Sequence, residues 1–324
     1  MKAIRLHARG GPEQLFYEDA PKPSLRDGDA LVRVQSCAIT YTELTWSPTY
    51  TTREGADRLP SIPSHEVSGV VEAAGPKADV KAGDQVYALT DFWRDGAAAE
   101  YVAVNAADLA PKPANLDDVQ VAAVPLAALT AWQALFDYAG LTAGQEVLIH
   151  GAAGGVGSFA VQLAHWRGAF VVGTTAAENA GLARELGADK VIDYRAVRFE
   201  DQVRDADVVL DTVGGDTRER SWSVLRRGGV LVTIVGSVPA DKAVQHGVRG
   251  VDFIVKPSRS GLKEITRLIE AGKLRPIIEA TFPLEKAREA FEHGAGGHNR
   301  GKIVLRVAGS AAAEKSTPAP ERVA

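Results

Sequence analysis

The sequence predicts an α/β protein that contains a doubly wound parallel sheet and an antiparallel barrel-like domain. Residues 147–164 form an apolar β run, a cluster of small residues and a helical pattern, which together predict a strand, a glycine turn and a helix. The apolar runs 208–211 and 229–235 lead into glycines, as expected for central parallel strands that are covered on both faces. Residues 2 to 112 instead alternate with period 2 between Gly and Pro turns, which is typical of short antiparallel strands.

The composition fits two domains in a reducing compartment. A chain of 324 residues suggests two domains, because a domain has about 100–200 residues. The formal net charge of -4 gives no reason to expect nucleic acid or a membrane as a partner. The single cysteine, Cys37, excludes an intrachain disulfide and a multi-cysteine zinc site. The N-terminal residues lack the apolar core of a signal peptide, so we expect a cytoplasmic protein.

The small residues at 152–157 predict a turn that binds a diphosphate. Gly154, Gly155 and Gly157 let main-chain N–H groups approach a phosphate, because no Cβ intervenes. A helix that begins at about Gly155 adds unpaired donors and about half a positive charge of helix dipole. Ala152 holds the first position of the pattern, so a plain glycine-rich turn is the alternative for this loop taken alone. The apolar strands that follow favour a dinucleotide site.

The end of the β run at 170–175 is where a dinucleotide ribose is expected, and it favours NADP(H). An acidic residue there would accept from a free 2′-hydroxyl and repel a 2′-phosphate, but the run ends in Gly173 and two threonines. The candidate 2′-phosphate contacts are Thr174, Thr175, Asn179, Tyr194 and Arg195. For Arg195 the alternative is a solvated surface charge. The first carboxylate after this run is Glu178, and because of it NAD(H) is the less favoured alternative.

The remaining segments complete the predicted domain organisation. Residues 122–136 form a helix that leads into the nucleotide strand, and 262–271 form an amphipathic helix. The last strand, 301–307, is far in sequence from the other strands of the predicted nucleotide-binding domain, so it is assigned to the first domain. The predicted domains are 1–120 with 257–307, and 121–256; residues 308–324 form a tail that we expect to be disordered.

As an ordered set, five motifs resemble the medium-chain dehydrogenase/reductase superfamily, specifically its zinc-free quinone oxidoreductase-like branch. The motifs are AAGGVG at 152–157, LGAD with VIDY at 186–194, DTVGG at 211–215, GDQV at 83–86 and GKIV at 301–304. The resemblance implies a GroES-like antiparallel β-barrel catalytic domain, a doubly wound Rossmann NADP-binding domain and a cleft between them. It also implies a homodimer formed by pairing of sheet edges near Gly229 to Val235. The cofactor-binding set that goes with the resemblance adds Thr130, Val156, Val235 and Lys302.

The same resemblance predicts that no metal is bound. Zinc-dependent relatives hold the metal with a cysteine, a histidine and a second cysteine, and these positions are Thr40, His65 and Leu126 here. One plausible ligand cannot make a tetrahedral site. The candidate catalytic residues are Tyr41, Thr40 and His65, which could donate a proton or orient a substrate. For His65 the alternative is a structural residue that hydrogen-bonds Glu66 or the backbone.

The predicted function is NADPH-dependent, zinc-independent hydride transfer to a small-molecule quinone or α,β-unsaturated carbonyl. Conjugation delocalises the negative charge that develops, so hydrogen-bond donors are sufficient, whereas a simple alcohol would lack its Lewis acid. One alternative is an NADPH-binding regulatory or non-catalytic protein, because Thr40 stands where quinone reductases of this family commonly have asparagine. The other alternative is an enoyl reductase that acts on an acyl substrate.

Overall fold

The computed structural model describes residues 1–297 and 299–307, and it confirms the predicted fold class. The predicted tail, 308–324, lies outside the described residues. One large sheet has six parallel strands, and the other has seven strands that are mostly antiparallel. The domain limits given above stay a prediction.

The seven-stranded sheet is formed by five strands from the N-terminal part of the chain and two strands that follow the parallel sheet in sequence. Its strands run in the order β14-β15-β3-β4-β5-β7, β6 also pairs with β3, and β1 and β2 form a separate hairpin. β15 pairs antiparallel with β3, so the end of the chain returns to the first sheet. The strands are β1 (Lys2–Leu6), β2 (Leu15–Asp19), β3 (Asp29–Ile39), β4 (Glu66–Ala74), β5 (Gln85–Leu89), β6 (Tyr101–Asn105), β7 (Ala110–Pro111), β14 (Ile278–Pro283) and β15 (Lys302–Arg306).

The middle of the chain forms the parallel sheet, whose strand order is β10-β9-β8-β11-β12-β13. The order reverses between β8 and β11, and ligands of such sheets bind at this point, beyond the carboxyl ends of the strands. The strands are β8 (Glu146–His150), β9 (Phe170–Thr175), β10 (Lys190–Asp193), β11 (Ala206–Asp211), β12 (Leu225–Thr233) and β13 (Arg249–Asp252).

Helices cover both faces of the parallel sheet and connect it to the first sheet. The helices are α1 (Ser47–Tyr50), α2 (Asp118–Ala122), α3 (Pro125–Trp132), α4 (Gly155–Arg167), α5 (Ala180–Glu185), α6 (Gly215–Ser221), α7 (Ala240–His246), α8 (Arg259–Glu270) and α9 (Ala287–Ala295). A π-helical turn, Gln133–Tyr138, extends α3. Helix α4 ends at Gly168, whose φ of 83° is the left-handed conformation that favours glycine.

The two largest apolar cores among the described residues lie on different parts of these layers. One core lies within the first sheet and includes Val67, Val102 and Leu305. The other core joins the parallel sheet to α3, α4 and α8, and it includes Ile265 from α8. Helix α8 itself contacts α3 and β7, and the hydroxyl of Tyr87 in β5 donates to the carbonyl oxygen of Leu262 at 2.7 Å, so this core also reaches the first sheet.

The edge of the parallel sheet differs from the prediction. Gly229 to Val235 and its neighbours were expected at the paired edge, but β12 is hydrogen-bonded to β11 on one side and to β13 on the other. The edge strand next to β12 is β13, and the opposite edge of the sheet is β10. The sequence of β13, Arg-Gly-Val-Asp, has no apolar run, so hydrophobic pattern alone did not predict a strand there.

Candidate active site

A cleft of about 930 Å³ opens between the carboxyl ends of the parallel strands and the first sheet. Its walls come from the end of β3, the start of α4, the end of β9 and the start of β15. The described residues that line it include no Asp or Glu. They do include two basic residues, Lys302 and Arg220. The cleft therefore suits an anionic ligand.

The glycine loop forms one wall of this cleft. Helix α4 begins at Gly155, as predicted, and its first turn faces the cleft. A Cβ on Gly157 would collide with the carbonyl oxygen of Gly151, so glycine is needed there for close packing of helix and turn. The tight turn itself is made by Gly151, which has a φ of 68°, one residue before Ala152. Gly151 therefore serves as the first glycine of the loop, one position before Ala152, where the pattern predicted it.

The first sheet contacts the glycine loop directly. The backbone N–H of Gly301 donates to the carbonyl oxygen of Ala153 at 3.0 Å, and the next residue, Lys302, lies at the loop. A Cβ on Gly155 would lie 3.1 Å from Cδ of Lys302, which shows how closely the lysine side chain approaches the loop. The predicted phosphate-binding loop and the predicted lysine thus meet, although they are far apart in sequence.

Lys302 is a buried cation that is held by an ion pair. It is 6% exposed, and Nζ is paired with the carboxylate of Glu66, which is 1% exposed. Nζ also donates to the carbonyl oxygen of Ile39 at 3.2 Å and contacts Oγ1 of Thr40 at 3.4 Å. The backbone N–H of Leu126 donates to Oε1 of Glu66 at 2.9 Å, which fixes the carboxylate. Burial raises the pKa of Glu66, and Lys302 opposes that rise.

Two of the three candidate catalytic residues line the cleft. Thr40 ends the extended segment after β3, and its hydroxyl oxygen accepts from Lys302, so its own proton is free for another acceptor. Tyr41 follows in a 3₁₀ turn, Tyr41–Thr45, and is 45% exposed. The structure places Thr40 beside Lys302, and Tyr41 lines the same cleft.

The third candidate, His65, is not among the residues that line the cleft. It is buried, its Nδ1 lies 2.9 Å from Oγ1 of Thr90, and its ring packs against the edge of Phe92. Burial lowers the pKa of His65 to about 3, so the ring stays neutral at pH 7. Its hydrogen-bond partner is Thr90, whereas the structural alternative had named Glu66 or the backbone. The position of His65 favours a structural role.

The predicted ribose end of the cleft is largely assembled as expected. Its lining includes Thr174, Thr175, Asn179 and Tyr194, and Thr130, Val156, Val235 and the loop glycines line the rest of the same cleft. Arg195 is not among the lining residues; it is exposed and pairs with Glu178 at 3.0 Å. This pairing matches the surface-charge alternative for Arg195.

Other lining residues were not predicted from sequence. They are contributed by α6 and by the segment after β13: Thr217, Arg220, Phe253, Ile254 and Val255. Arg220 pairs with Glu200 at 2.8 Å and with Asp216 at 2.9 Å. The residues after β13 could have been located from the sequence, because 253–255 is an apolar run that follows a strand of the nucleotide sheet and precedes Pro257.

Comparison with known proteins identifies the family. The sequence model described as an alcohol dehydrogenase GroES-like domain matches residues 26–114, and the one described as a zinc-binding dehydrogenase matches 186–305. An NADPH-dependent alkenal/one oxidoreductase, chloroplastic, from Arabidopsis thaliana is 34% identical over 322 residues, 94% of this chain and 79% of that protein. A quinone oxidoreductase from Pongo abelii is 32% identical over 329 residues, 94% of this chain and 97% of that protein. This chain belongs to the medium-chain dehydrogenase/reductase superfamily.

Within this superfamily, the chain falls in the quinone oxidoreductase-like branch. The crystal structure of the quinone oxidoreductase from Coxiella burnetii superposes with a TM-score of 0.88 and 31% identity, covering 95% of this chain and 99% of that one. The chain is therefore an oxidoreductase that uses a nicotinamide cofactor. Among the described residues, no helix is long and apolar enough to cross a membrane.

The catalytic zinc of other superfamily members does not fit the residues present. Of the three ligand positions, Thr40 and Leu126 offer no thiolate, and His65 is buried and hydrogen-bonded to Thr90. In residues 1–297 and 299–307 no cluster of three or more His, Cys, Asp or Glu side chains could hold a metal ion. Burial raises the pKa of the Cys37 thiol, which disfavours a metal-binding thiolate.

Glu43 is a buried carboxyl that supports the catalytic segment. Its Oε1 accepts from the backbone N–H of Thr40 at 3.4 Å, and its Oε2 accepts from that of Ser64 at 3.0 Å. Burial raises the pKa of Glu43 to about 8, although these hydrogen bonds and Lys302 oppose the rise. Glu43 is therefore mostly protonated in the folded protein at pH 7.

Glu43 is expected to make stability fall as pH rises. The unfolded carboxyl titrates at about 4.3, so between about pH 5 and 8 the folded state binds the extra proton and unfolding becomes easier with rising pH. Glu43→Gln should remove at least about 1 kcal/mol of this pH dependence, measured by urea unfolding at both limits. Glu289→Gln, at an exposed carboxylate, is the control. An unchanged pH profile in Glu43→Gln would contradict the assignment.

Proposed function

We propose that this oxidoreductase is an NADPH-dependent, zinc-independent reductase of quinones or α,β-unsaturated carbonyls. The observation that carries the proposal is the position of Thr40, whose hydroxyl accepts from Lys302 and lies beside the glycine loop in one cleft. The activities for which the Arabidopsis and Pongo relatives are named support the same substrate class.

The glycine loop and its neighbours fit a dinucleotide. The N–H groups of the first turn of α4, around Gly155, would hold the diphosphate, with Lys302 as the nearby cation. Thr175, Asn179 and Tyr194 would surround the adenosine ribose. When bound, NADPH supplies a hydride from C4 of its nicotinamide ring.

NADPH is proposed over NADH on electrostatic grounds. Asp or Glu at the ribose end would accept from a 2′-hydroxyl, but the described lining residues of this cleft contain neither. Glu178, the minority argument for NADH, pairs with Arg195 and does not line the cleft. Both observations favour the phosphorylated dinucleotide.

Thr40 is the proposed hydrogen-bond donor to the substrate oxygen, and the proton that completes the reduction comes from solvent. Because Lys302 donates to its oxygen, the Thr40 hydroxyl is polarised and its proton is directed elsewhere. A conjugated carbonyl that gains a hydride develops an enolate or phenolate oxygen, which needs such a donor. Tyr41 offers a second hydroxyl at the same wall. The charge on a conjugated acceptor is already delocalised, so these donors can act without a metal ion.

We also propose a homodimer and a cytoplasmic location. β13 is one of the two edge strands of the parallel sheet, and a second copy could extend the sheet there. Cys37 is free and buried, which is consistent with a reducing compartment such as the cytoplasm.

The decisive experiment is a titration of NADPH and NADH, followed through nicotinamide fluorescence. Addition of 1,4-benzoquinone or of an enone to the binary complex is then expected to oxidise NADPH, with NADP⁺ and a simple alcohol as the control reaction. Tight binding without oxidation would favour the non-catalytic alternative. Activity on ordinary alcohols without activity on conjugated acceptors would contradict the proposal.

The role of Thr40 predicts a selective loss of turnover. Thr40→Val is expected to lower kcat about a hundredfold and to leave the Kd for NADPH nearly unchanged, because the lost group donates to the substrate. Thr42→Val is the matched control, since Thr42 also lines the cleft but has no contact with Lys302 among the described hydrogen bonds. Equal activity of the two variants would exclude Thr40 as the donor.

A further inference from the structure

A buried histidine at the ribose end of the cleft has both ring nitrogens hydrogen-bonded. His150 is the last residue of β8 and is 1% exposed. Its Nδ1 lies 3.0 Å from Oγ1 of Thr174, and its Nε2 lies 2.9 Å from Oγ of Ser221. Burial lowers the pKa of His150 to about 4, so the ring is neutral at pH 7.

Thr174, His150 and Ser221 form a hydrogen-bonded series, and the direction of its hydrogen bonds follows from Ser221. Ser221 donates its hydroxyl proton to the carbonyl oxygen of Thr217 at 2.7 Å. A hydroxyl has one proton, so Ser221 must accept from His150, and Nε2 carries the ring proton. Nδ1 of the neutral ring then has a lone pair, and Thr174 must donate to it. The protons of all three side chains therefore point from Thr174 towards Thr217.

This direction determines what Thr174 can bind. Its one proton is committed to His150, so it offers a ligand only lone pairs. The oxygens of an ionised phosphate are acceptors and gain nothing from such a group, whereas a ribose hydroxyl can donate to it. Turning the Thr174 proton towards a phosphate would leave the buried Nδ1 of His150 without a partner, which is costly.

The next residue has the opposite property. Thr175 also lines the cleft and is buried. Among the described residues, its hydroxyl has no hydrogen-bond partner, unlike that of Thr174. Its proton is free, so Thr175 is able to donate to a phosphate oxygen. Two adjacent threonines at the end of β9 thus present different hydrogen-bonding groups to a ligand.

We propose that His150 and Ser221 fix Thr174 as the hydrogen-bond acceptor for a ribose hydroxyl of the adenosine, and leave Thr175 to donate to the 2′-phosphate. This inference rests on the proposed function in that a dinucleotide must occupy the cleft. It makes His150 and Ser221 positioning residues that affect the choice between NADPH and NADH. Ser221 does so without lining the cleft.

The first test is the ratio of the NADH and NADPH dissociation constants in three variants. Thr175→Val is expected to weaken NADPH about tenfold and to change NADH little, because only NADPH has the phosphate that Thr175 meets. Thr174→Val should weaken both dinucleotides by a similar, smaller factor. Ser221→Ala removes the acceptor of Nε2, so the ring proton can move to Nδ1 and release the Thr174 proton. That variant should shift the ratio about threefold or more towards NADPH.

The second test reads the tautomer directly. Long-range ¹H–¹⁵N correlation spectra of the labelled full chain distinguish protonated from unprotonated ring nitrogens, and His150→Gln assigns the signals. We expect a protonated Nε2 and an unprotonated Nδ1 in the parent protein. A protonated Nδ1 would overturn the inference, whether or not a variant folds well enough for binding studies.

The two proposals fail in different ways. If the parent protein binds neither dinucleotide, the proposed function fails, and the ring spectrum still decides the direction of the hydrogen bonds. If the parent binds and turns over NADPH but Ser221→Ala leaves the ratio unchanged, the inference on His150 is wrong and the proposed function stands. A selective loss of NADPH binding in Thr174→Val would also overturn the inference.

Discussion

Replacing Lys302 with methionine is expected to lower the free energy of unfolding by about 3 kcal/mol or more. The ammonium is paired with Glu66 in a buried site, and its removal leaves a buried carboxylate held only by backbone hydrogen bonds from Leu126 and Ala127 among the described residues. Removing one partner of a buried ion pair is costly because the other charge stays uncompensated. Binding of NADPH should weaken about tenfold as well, since a cation beside the glycine loop is lost.

The free energy of unfolding of Lys302→Met should also depend on pH in a predictable direction. Burial already raises the pKa of Glu66, and without Lys302 nothing comparable opposes that rise. The folded variant should therefore hold a proton that the unfolded chain releases above about pH 4.3, so its free energy of unfolding should fall from pH 5 to pH 8. Urea unfolding at several pH values measures this slope.

Two further variants isolate the buried pair. Lys286→Met removes the lysine of an exposed pair with Glu289, and we expect it to cost less than about 1 kcal/mol. The double variant Lys302→Met with Glu66→Gln removes both charges and should regain part of the lost stability. A Lys302→Met protein as stable as Lys286→Met at pH 8 would show that the pair is not buried in solution.

Replacing Gly157 with alanine is expected to destabilise the protein by about 3 kcal/mol and to abolish tight dinucleotide binding. The added Cβ would collide with the carbonyl oxygen of Gly151, which is backbone and cannot move without opening the turn. The start of α4 would therefore shift away from β8 and misplace the N–H groups that face the cleft. Thermal unfolding and NADPH titration measure the two effects.

The same substitution in another helix supplies the control. Gly181 lies in α5, and a Cβ there would have no neighbouring atom within 4 Å. Gly181→Ala is expected to stabilise the protein by up to about 1 kcal/mol, because alanine favours a helix more than glycine does. Opposite effects of the two substitutions would identify close approach as the reason for Gly157. Similar effects would contradict the geometry of the turn.

The local sequence was sufficient for the nucleotide loop and the elements around it. The order of apolar run, small residues and helical pattern depends on neighbours in the chain, so β8, the turn and the start of α4 were predicted at the correct residues. The end of β9 at Thr175 was also predicted from its own pattern. Even here the tight turn belonged to Gly151, because a pattern of letters does not give φ angles.

The roles of individual side chains depended on partners far away in sequence. His65 was a reasonable catalytic candidate by its neighbours, but packing places it against Thr90 and away from the cleft. Arg195 was a reasonable phosphate ligand, yet Glu178 holds it at the surface. In each case the side chain forms its hydrogen bond or ion pair with a residue that no local sequence pattern identifies.

By itself, the sequence determined the fold class, the family resemblance and the glycine loop, because these follow from periodicity, glycine placement and ordered motifs along the chain. Only the tertiary structure decided that Lys302 meets Glu66 and Thr40, and that β13 is the edge strand next to β12 in the parallel sheet. It also brings Thr174, His150 and Ser221 within hydrogen-bond distance of one another, and the proposed proton assignment rests on these contacts. The physical reason is that burial and hydrogen-bond direction depend on groups brought together by folding, which are separated by tens to hundreds of residues in the chain.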